Sequence, residues 1–274
     1  MALKTENITP NIATRILSGK EDLLSGEYGK ELRDLLEQRG VLVFPEIHFT
    51  GEEQIAFTKT LGKFAPEMND GGVEKIHKIS LDKSQTASAD YLKGSMYWHI
   101  DGTMSQVPIL ASILSGQVLS SEGGQTEFCN TYAAFEKLSV NDQQAYEKMR
   151  VMHSAWNSLF YYNPEPAHAM LEQMMAIGDN ELPLVWKHSS GRKSLILGCT
   201  AYHVVDKTPK ESAELLVRLR EWATQPEFVY RHEWSVGDTV IWDNTGTMHR
   251  AIPYDPASGR MMHRTKIEGE EAFA

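Results

Sequence analysis

The sequence predicts a mainly β chain with flanking helices, folded as a double-stranded β-helix, the jelly roll. Short apolar runs punctuated by turn residues recur along the 274 residues, a few well-capped helices lie between them, and a His-X-Asp pair has its natural third partner far downstream. Rolled sheets of this kind leave a mouth where residues from distant strands converge.

In chain order, Leu32, Leu35 and Leu36 mark an amphipathic helix, and Val41-Leu42-Val43-Phe44 is a strand. Thr50 with Glu53 opens a second helix through a capping box. His77 lies in the alternating Ile76-His77-Lys78-Ile79, where it faces either cavity or solvent; the ordinary structural role is favoured. Residues 84–94 are polar, equally a lid or a plain surface loop. Residues 110–119 read as a strand, and Cys129 sits in a strand-like run as a small core residue. Trp156, Phe160, Tyr161 and Tyr162 form an aromatic cluster, either core or an apolar substrate wall. Tyr162-Asn163-Pro164-Glu165-Pro166 then breaks the chain before a helix carrying Met170, Met174 and Met175 as adaptable packing. Residues 194–197 read as a strand; beyond Gly198-Cys199, Tyr202 and His203 are candidates to line the mouth, without His203 being a ligand. Thr208-Pro209-Lys210-Glu211 is a capping box with Pro at the first helical position, followed by Leu215, Leu216, Leu219 and Trp222 at helical spacing. Residues 239–242 are a strand.

Neither repeat nor linker interrupts this pattern, so residues 1–274 are expected to form a single domain. A net charge of -10 without a basic stripe argues against nucleic acid. No apolar stretch resembles a secretory signal or a membrane span, so no membrane partner is expected. Cys129 and Cys199, the only cysteines, make neither a zinc-finger nor a disulfide framework, and a reducing cytoplasm is the expected location. The oligomeric state is open, homo-oligomer included.

The chemistry lies in His99, Asp101 and His249. On a strand, Tyr97-Trp98-His99-Ile100-Asp101 puts two ligands on one face, because alternate residues point the same way. His249 arrives from Trp242-Asp243-Asn244-Thr245-Gly246-Thr247-Met248-His249-Arg250, which reads as strand, tight turn, strand. Two imidazoles and a carboxylate on one side of a metal are the pattern of an open non-haem iron(II) site. His-X-Asp is weak evidence by itself. Arg260 and Arg264 strengthen it, since oxygenases that use 2-oxoglutarate need a fixed cation for its distal carboxylate, and guanidinium provides a planar fork.

With these residues in view, the chain resembles the taurine dioxygenase family, in the branch containing the phenoxy-herbicide (aryloxyalkanoate) dioxygenases. The matching segments are Trp98-His99-Ile100-Asp101, Gly123-Gly124-Gln125-Thr126-Glu127-Phe128-Cys129, Gly191-Arg192-Lys193-Ser194-Leu195, Phe228-Val229-Tyr230-Arg231-His232, Val236-Gly237-Asp238-Thr239-Val240-Ile241-Trp242-Asp243-Asn244, and the pair Arg260 and Arg264. They run in family order over about residues 41–267. The resemblance implies a jelly roll, iron(II) on His99, Asp101 and His249, and 2-oxoglutarate held through its distal carboxylate by Thr126 and Arg260. It also implies a small organic acid as substrate, anchored by Arg264, with Phe160 as a further substrate contact by its family position; Tyr202 joins them as a substrate-contact candidate from its place beyond the strand ending at Gly198-Cys199. Two departures stand out: Thr245 replaces the family's Arg after Trp-Asp-Asn, and Glu67, Met68, Asn69 and Asp70 offer no counterpart to the His that meets taurine's sulfonate. Taurine is therefore not the expected substrate.

The implied reaction consumes 2-oxoglutarate and O2, releases succinate and CO2, and hydroxylates the acid; an ether on the hydroxylated carbon would be cleaved. The same machinery can instead desaturate, cyclise or epimerise a natural metabolite. A zinc hydrolase would lack the Arg260 and Thr126 pair, and a non-catalytic 2-oxoglutarate sensor would be free to lose the metal ligands, all three of which are present.

Overall fold

The larger sheet places, in spatial order, Thr5–Asn7, Thr14–Ile16, Val41–Phe44, Thr239–Asp243, Ala111–Val118, Met261–Ile267 and His77–Ile79. A computed structural model describes residues 3–66, 76–84 and 89–273 of the chain. Residues 67–70, and residues 85–88 of the candidate lid, lie outside the described residues.

Period-two alternation decides what each face of this sheet covers. Leu42, Phe44, Ile113, Ile241 and Ile267 pack with Leu32 and Leu36 of the helix Gly29–Arg39 and with Phe57 and Leu61 of the helix Gly51–Leu61. Val41, Val43, Leu114, Val240, Trp242 and Met262 turn to the opposite face, where Phe128 of a second sheet meets them. That smaller sheet places Val229–His232, Thr126–Asn130 and Thr247–Ala251 side by side, all antiparallel. The two sheets with Phe128 and Trp242 between them, ring centroids 5.5 Å apart, form the expected jelly roll. A third sheet of Ala201–Val204, Arg150–Ser154 and Asp179–Pro183 flanks the mouth.

Local signals in the sequence recur as structure. Thr50 and Thr208 both close reciprocal capping boxes, opening Gly51–Leu61 and Pro209–Ala223. The 239–251 segment turns at residues 244–246, and its two strands enter different sheets. Helical cover is heavier than the sequence suggests, because Thr131–Glu136, Val140–Tyr146 and Ala155–Tyr162 are too short for periodicity to reveal. The expected strand through His99 and Asp101 is a correction: His99 forms one isolated bridge to His249, and Asp101 already begins a turn. No helix among the described residues is long and apolar enough to cross a membrane.

Candidate active site

The bridge brings the ligand residues together from the backbone outward. His99 N–H donates to His249 O at 3.1 Å, and His249 N–H returns the bond to His99 O at 2.9 Å. One ligand-capable atom from each of His99, Asp101 and His249 then falls within 4.8 Å of the others. His99 Nε2 is 3.6 Å from Asp101 Oδ1, and His249 Nε2 is 3.8 Å from Asp101 Oδ2.

The surroundings prepare these atoms for a cation. His99 Nδ1 lies 2.8 Å from the Tyr97 carbonyl, which can only accept, so Nδ1 carries a proton, and Nε2 is the ring atom that faces Asp101. Burial, reinforced by His99 and Arg264 and opposed by Asp101, brings His249 down to about 3 and keeps it neutral. Its ring is fixed by packing, 4.6 Å from Trp242 and 6.3 Å from Phe128. Burial also disfavours ionised Asp101, but His249, Arg264, His99 and the Ser112 hydroxyl outweigh it and hold the carboxyl well below the usual range. The donor set is thus one carboxylate and two imidazoles, which suits a divalent transition metal.

Asp101 is held by a directional chain. Trp242 Nε1 donates to Asn244 Oδ1 at 2.9 Å, Asn244 Nδ2 to Ser112 Oγ at 3.2 Å, and Ser112 Oγ to Asp101 Oδ2 at 3.1 Å. Trp242 and Ser112 are register partners on adjacent strands. Ser112 escaped sequence reasoning because only that pairing brings it to the site.

Arg264 lies within the strand Met261–Ile267 and Arg260 just before it, and both reach the interior. A cavity of about 70 Å³ is lined by both, with His99, His249, Thr126 and Trp242. Arg260 is only 4% exposed; its Nη2 donates to Gly124 O at 2.8 Å, and the guanidinium lies 4.6 Å from the Tyr254 ring centre. Burial lowers its pKa, and a cation so enclosed requires an anion. Gly124 makes this possible: at φ +77°, its absent Cβ would stand 2.8 Å from Arg260 Nε. Thr126 Oγ1 accepts from Trp234 Nε1 at 3.0 Å, which leaves its own hydrogen to donate to an acid. Trp234 is a second contributor that local pattern could not reveal.

A second cavity, about 270 Å³, is lined by His99, Asp101 and Arg264 together with Thr103, Ala155, Ser158, Tyr162 and Thr200. Two expected substrate contacts fall elsewhere. Ala155, Ser158 and Tyr162 share one helix face, whereas Phe160 lies about 200° round from Ser158 and is exposed against Trp156. Tyr202 lies tilted against Trp156, ring centroids 4.8 Å apart, and donates to Asp179 Oδ2 at 2.9 Å. Neither lines the two cavities that contain His99. His77 is half-buried opposite Arg264 in register, Cys129 is fully buried with its thiol pushed up to about 12, and His203 Nδ1 meets Ser212 Oγ at 3.3 Å.

The family described as "Taurine catabolism dioxygenase TauD, TfdA family" matches residues 4–266. The chain belongs to this family. It is a 2-oxoglutarate-dependent dioxygenase that uses iron(II) and O2. This dioxygenase is 34% identical over 243 residues to the (S)-phenoxypropionate/alpha-ketoglutarate-dioxygenase of Sphingobium herbicidovorans, covering 85% of this chain and 83% of that one. It is also 34% identical over 256 residues to the alpha-ketoglutarate-dependent 2,4-dichlorophenoxyacetate dioxygenase of Cupriavidus pinatubonensis, covering 86% of each. Its fold superposes on the crystal structure of AAD-2 in complex with Mn(II) and N-oxalylglycine with a TM-score of 0.84 and 28% identity, over 100% of both chains.

Proposed function

We propose that this dioxygenase hydroxylates a small organic acid of the aryloxyalkanoate type, with Arg264 as the anchor for the substrate's anionic group. The observation that carries this reading is that Arg264 lines the 270 Å³ cavity beside His99 and Asp101, while Arg260 occupies the adjoining one. Arg260 and Arg264 lie on one side of the strand Met261–Ile267 and its entry; 2-oxoglutarate is the acid for Arg260, and Arg264, whose charge also acts on Asp101, lines the larger cavity where the primary acid would sit. The names of the similar enzymes, which act on phenoxypropionate and 2,4-dichlorophenoxyacetate, supply the substrate class.

In this reading His99, Asp101 and His249 hold iron(II), which supplies oxygen activation coupled to decarboxylation of 2-oxoglutarate, and the oxidation of the substrate's C–H bond. Arg260 and the Thr126 hydroxyl hold the distal carboxylate of the co-substrate. Arg264 orients the primary acid so that the carbon beside its acidic group faces the metal side of the cavity. Ser112 keeps one Asp101 oxygen occupied and leaves the other directed inward. Where the hydroxylated carbon bears an ether oxygen, the product is a hemiacetal; it collapses to a carbonyl and releases the phenol or alcohol without further oxidant.

The test is a panel of phenoxyacetates, phenoxypropionates and aliphatic acids, scored by iron- and 2-oxoglutarate-dependent succinate release with wild type and Arg264→Gln. Acid-stimulated succinate should appear with wild type, and Arg264→Gln should need at least tenfold more acid for the same rate, since a hydrogen bond to a charged group is worth about 1.5–3 kcal/mol. Equal dependence on acid in both proteins would remove Arg264 from the substrate site.

A further inference from the structure

We propose that the 270 Å³ cavity contains a second substrate subsite, a hydroxyl donor built from Thr103 and Thr200 and oriented by His153, that takes an acceptor oxygen on the acid. The inference rests on the acid-oxidising reading above and adds to it the chemistry of the substrate's other polar group.

His153 belongs to the strand Arg150–Ser154 and is fully buried. Its Nδ1 lies 2.9 Å from Thr200 Oγ1, and its Nε2 has no hydrogen-bond partner among the described residues. One ring nitrogen carries the proton, because burial brings the imidazole down to about 3 and keeps it neutral. With the proton on Nε2, a buried N–H would be orphaned; with it on Nδ1, only a lone pair is. Orphaned buried donors are the rarer case. His153 therefore donates to the Thr200 oxygen, and the Thr200 hydrogen must go elsewhere.

Its hydroxyl neighbour among the described residues is Thr103 Oγ1, 3.2 Å away, long for a pair of hydroxyls. Whichever of the two donates to the other, one hydroxyl hydrogen at the end of the chain has no acceptor among the described residues. Both threonines line the cavity, and Thr103 is fixed from behind by Asn180 Nδ2, which donates to its carbonyl at 2.8 Å. A ligand oxygen beside the two hydroxyls completes the chain; a methylene there leaves a buried donor unsatisfied. Sites built to hydrogen-bond a ligand reject the analogue that lacks the partner atom. The favoured substrate is thus an acid bearing an ether, carbonyl or hydroxyl oxygen in addition to the group held by Arg264.

The experiment compares acids that differ only by exchange of oxygen for methylene: phenoxyacetate against 3-phenylpropionate, and 4-methoxyphenoxyacetate against 4-ethylphenoxyacetate. Kd is measured calorimetrically without oxygen, in the presence of iron(II) and 2-oxoglutarate, and succinate release is measured separately in air. In at least one pair the oxygenated acid should bind about tenfold more tightly to wild type, the value of one hydrogen bond. Thr200→Val and Thr103→Val, which keep shape and remove the hydroxyl, should bring that ratio near one. His153→Leu should flatten it in the same way, and His153→Gln, which still donates, should restore part of it. Equal binding within both pairs in wild type, as when only water occupies the subsite, overturns the inference; so does a preference that survives both valine variants. Binding with the expected ratio but without succinate release would instead overturn the acid-oxidising reading, and absence of binding by all four acids overturns both.

Discussion

Ser112→Ala separates the support of the metal site from the site itself. The substitution removes the donor to Asp101 Oδ2 and the acceptor of Asn244 Nδ2, and it breaks the chain that begins at Trp242. A hydrogen bond to a charged group contributes about 1.5–3 kcal/mol; at 3.1 Å the lower half of that range applies. Loss of an outer-shell partner commonly weakens metal binding by about 10–100-fold, which is about 1.4–2.7 kcal/mol and agrees with the bond-by-bond figure. Asn244 is fully buried, so orphaning its Nδ2 costs a further ~1–3 kcal/mol of stability, and Tm should fall by roughly 2–10 °C. The assay is anaerobic titration with iron(II) or manganese(II), followed through tryptophan fluorescence, with Trp242 placed 4.6 Å from the His249 ring. Activity should recover as iron is raised. An unchanged metal Kd accompanied by a lowered Tm would show that the chain braces the sheet and has no part in holding Asp101 for the metal.

Arg260→Ala should raise the 2-oxoglutarate requirement at least tenfold, and Thr126→Val by less, because the guanidinium supplies the charge and the hydroxyl one bond; initial rates at varied 2-oxoglutarate report both. Gly124→Ala should act on the same parameter from outside the cavity: its Cβ meets Arg260 Nε and Ser120 Oγ at 2.8 Å, and φ +77° adds about 1–2 kcal/mol of backbone cost, read as lower Tm with raised KM for 2-oxoglutarate. Asp243 is buried and its carboxyl is raised to about 6, against about 3.9 unfolded. The stability this group provides is full below about 4 and is lost as pH rises through 6, a change of roughly 3 kcal/mol at about 1.4 kcal/mol per pH unit. Asp243→Asn should therefore flatten the dependence of Tm on pH between 4 and 6.5, and parallel curves for the two proteins would contradict the assignment.

Much of this was readable because local chemistry fixes it. Capping at Thr50 and Thr208 depends on residues three apart, and the strand Val41–Phe44 on a run of four apolar side chains. The metal donors stood out by the His-X-Asp spacing with a distant His, and the two arginines because a 2-oxoglutarate oxygenase needs a fixed cation for the distal carboxylate. What stayed hidden depends on long-range register or helix phase. Ser112 reaches Asp101 through its pairing with Trp242, and Trp234 reaches Thr126 because the strand that precedes it, Val229–His232, ends with His232 opposite Thr126. Phe160 was singled out by its family position and Tyr202 by its place just beyond a strand; a helix turns about 100° per residue and carries Phe160 to the outer side, while Asp179 accepts from the Tyr202 hydroxyl.

The turn at residues 244–246 sends one strand into each sheet, and His249 lies just beyond it, while His99 and Asp101 come from a much earlier part of the chain. No fragment of the protein assembles all three donors until His249 is brought against His99. Metal retention is consequently expected to follow assembly: a register slip of one residue would turn His249 to the other face of its strand and remove one of the three donors. Retention of metal after gel filtration then reports correct closure of the whole roll, and a ligand that binds only the closed form adds its own binding free energy to the fold's stability.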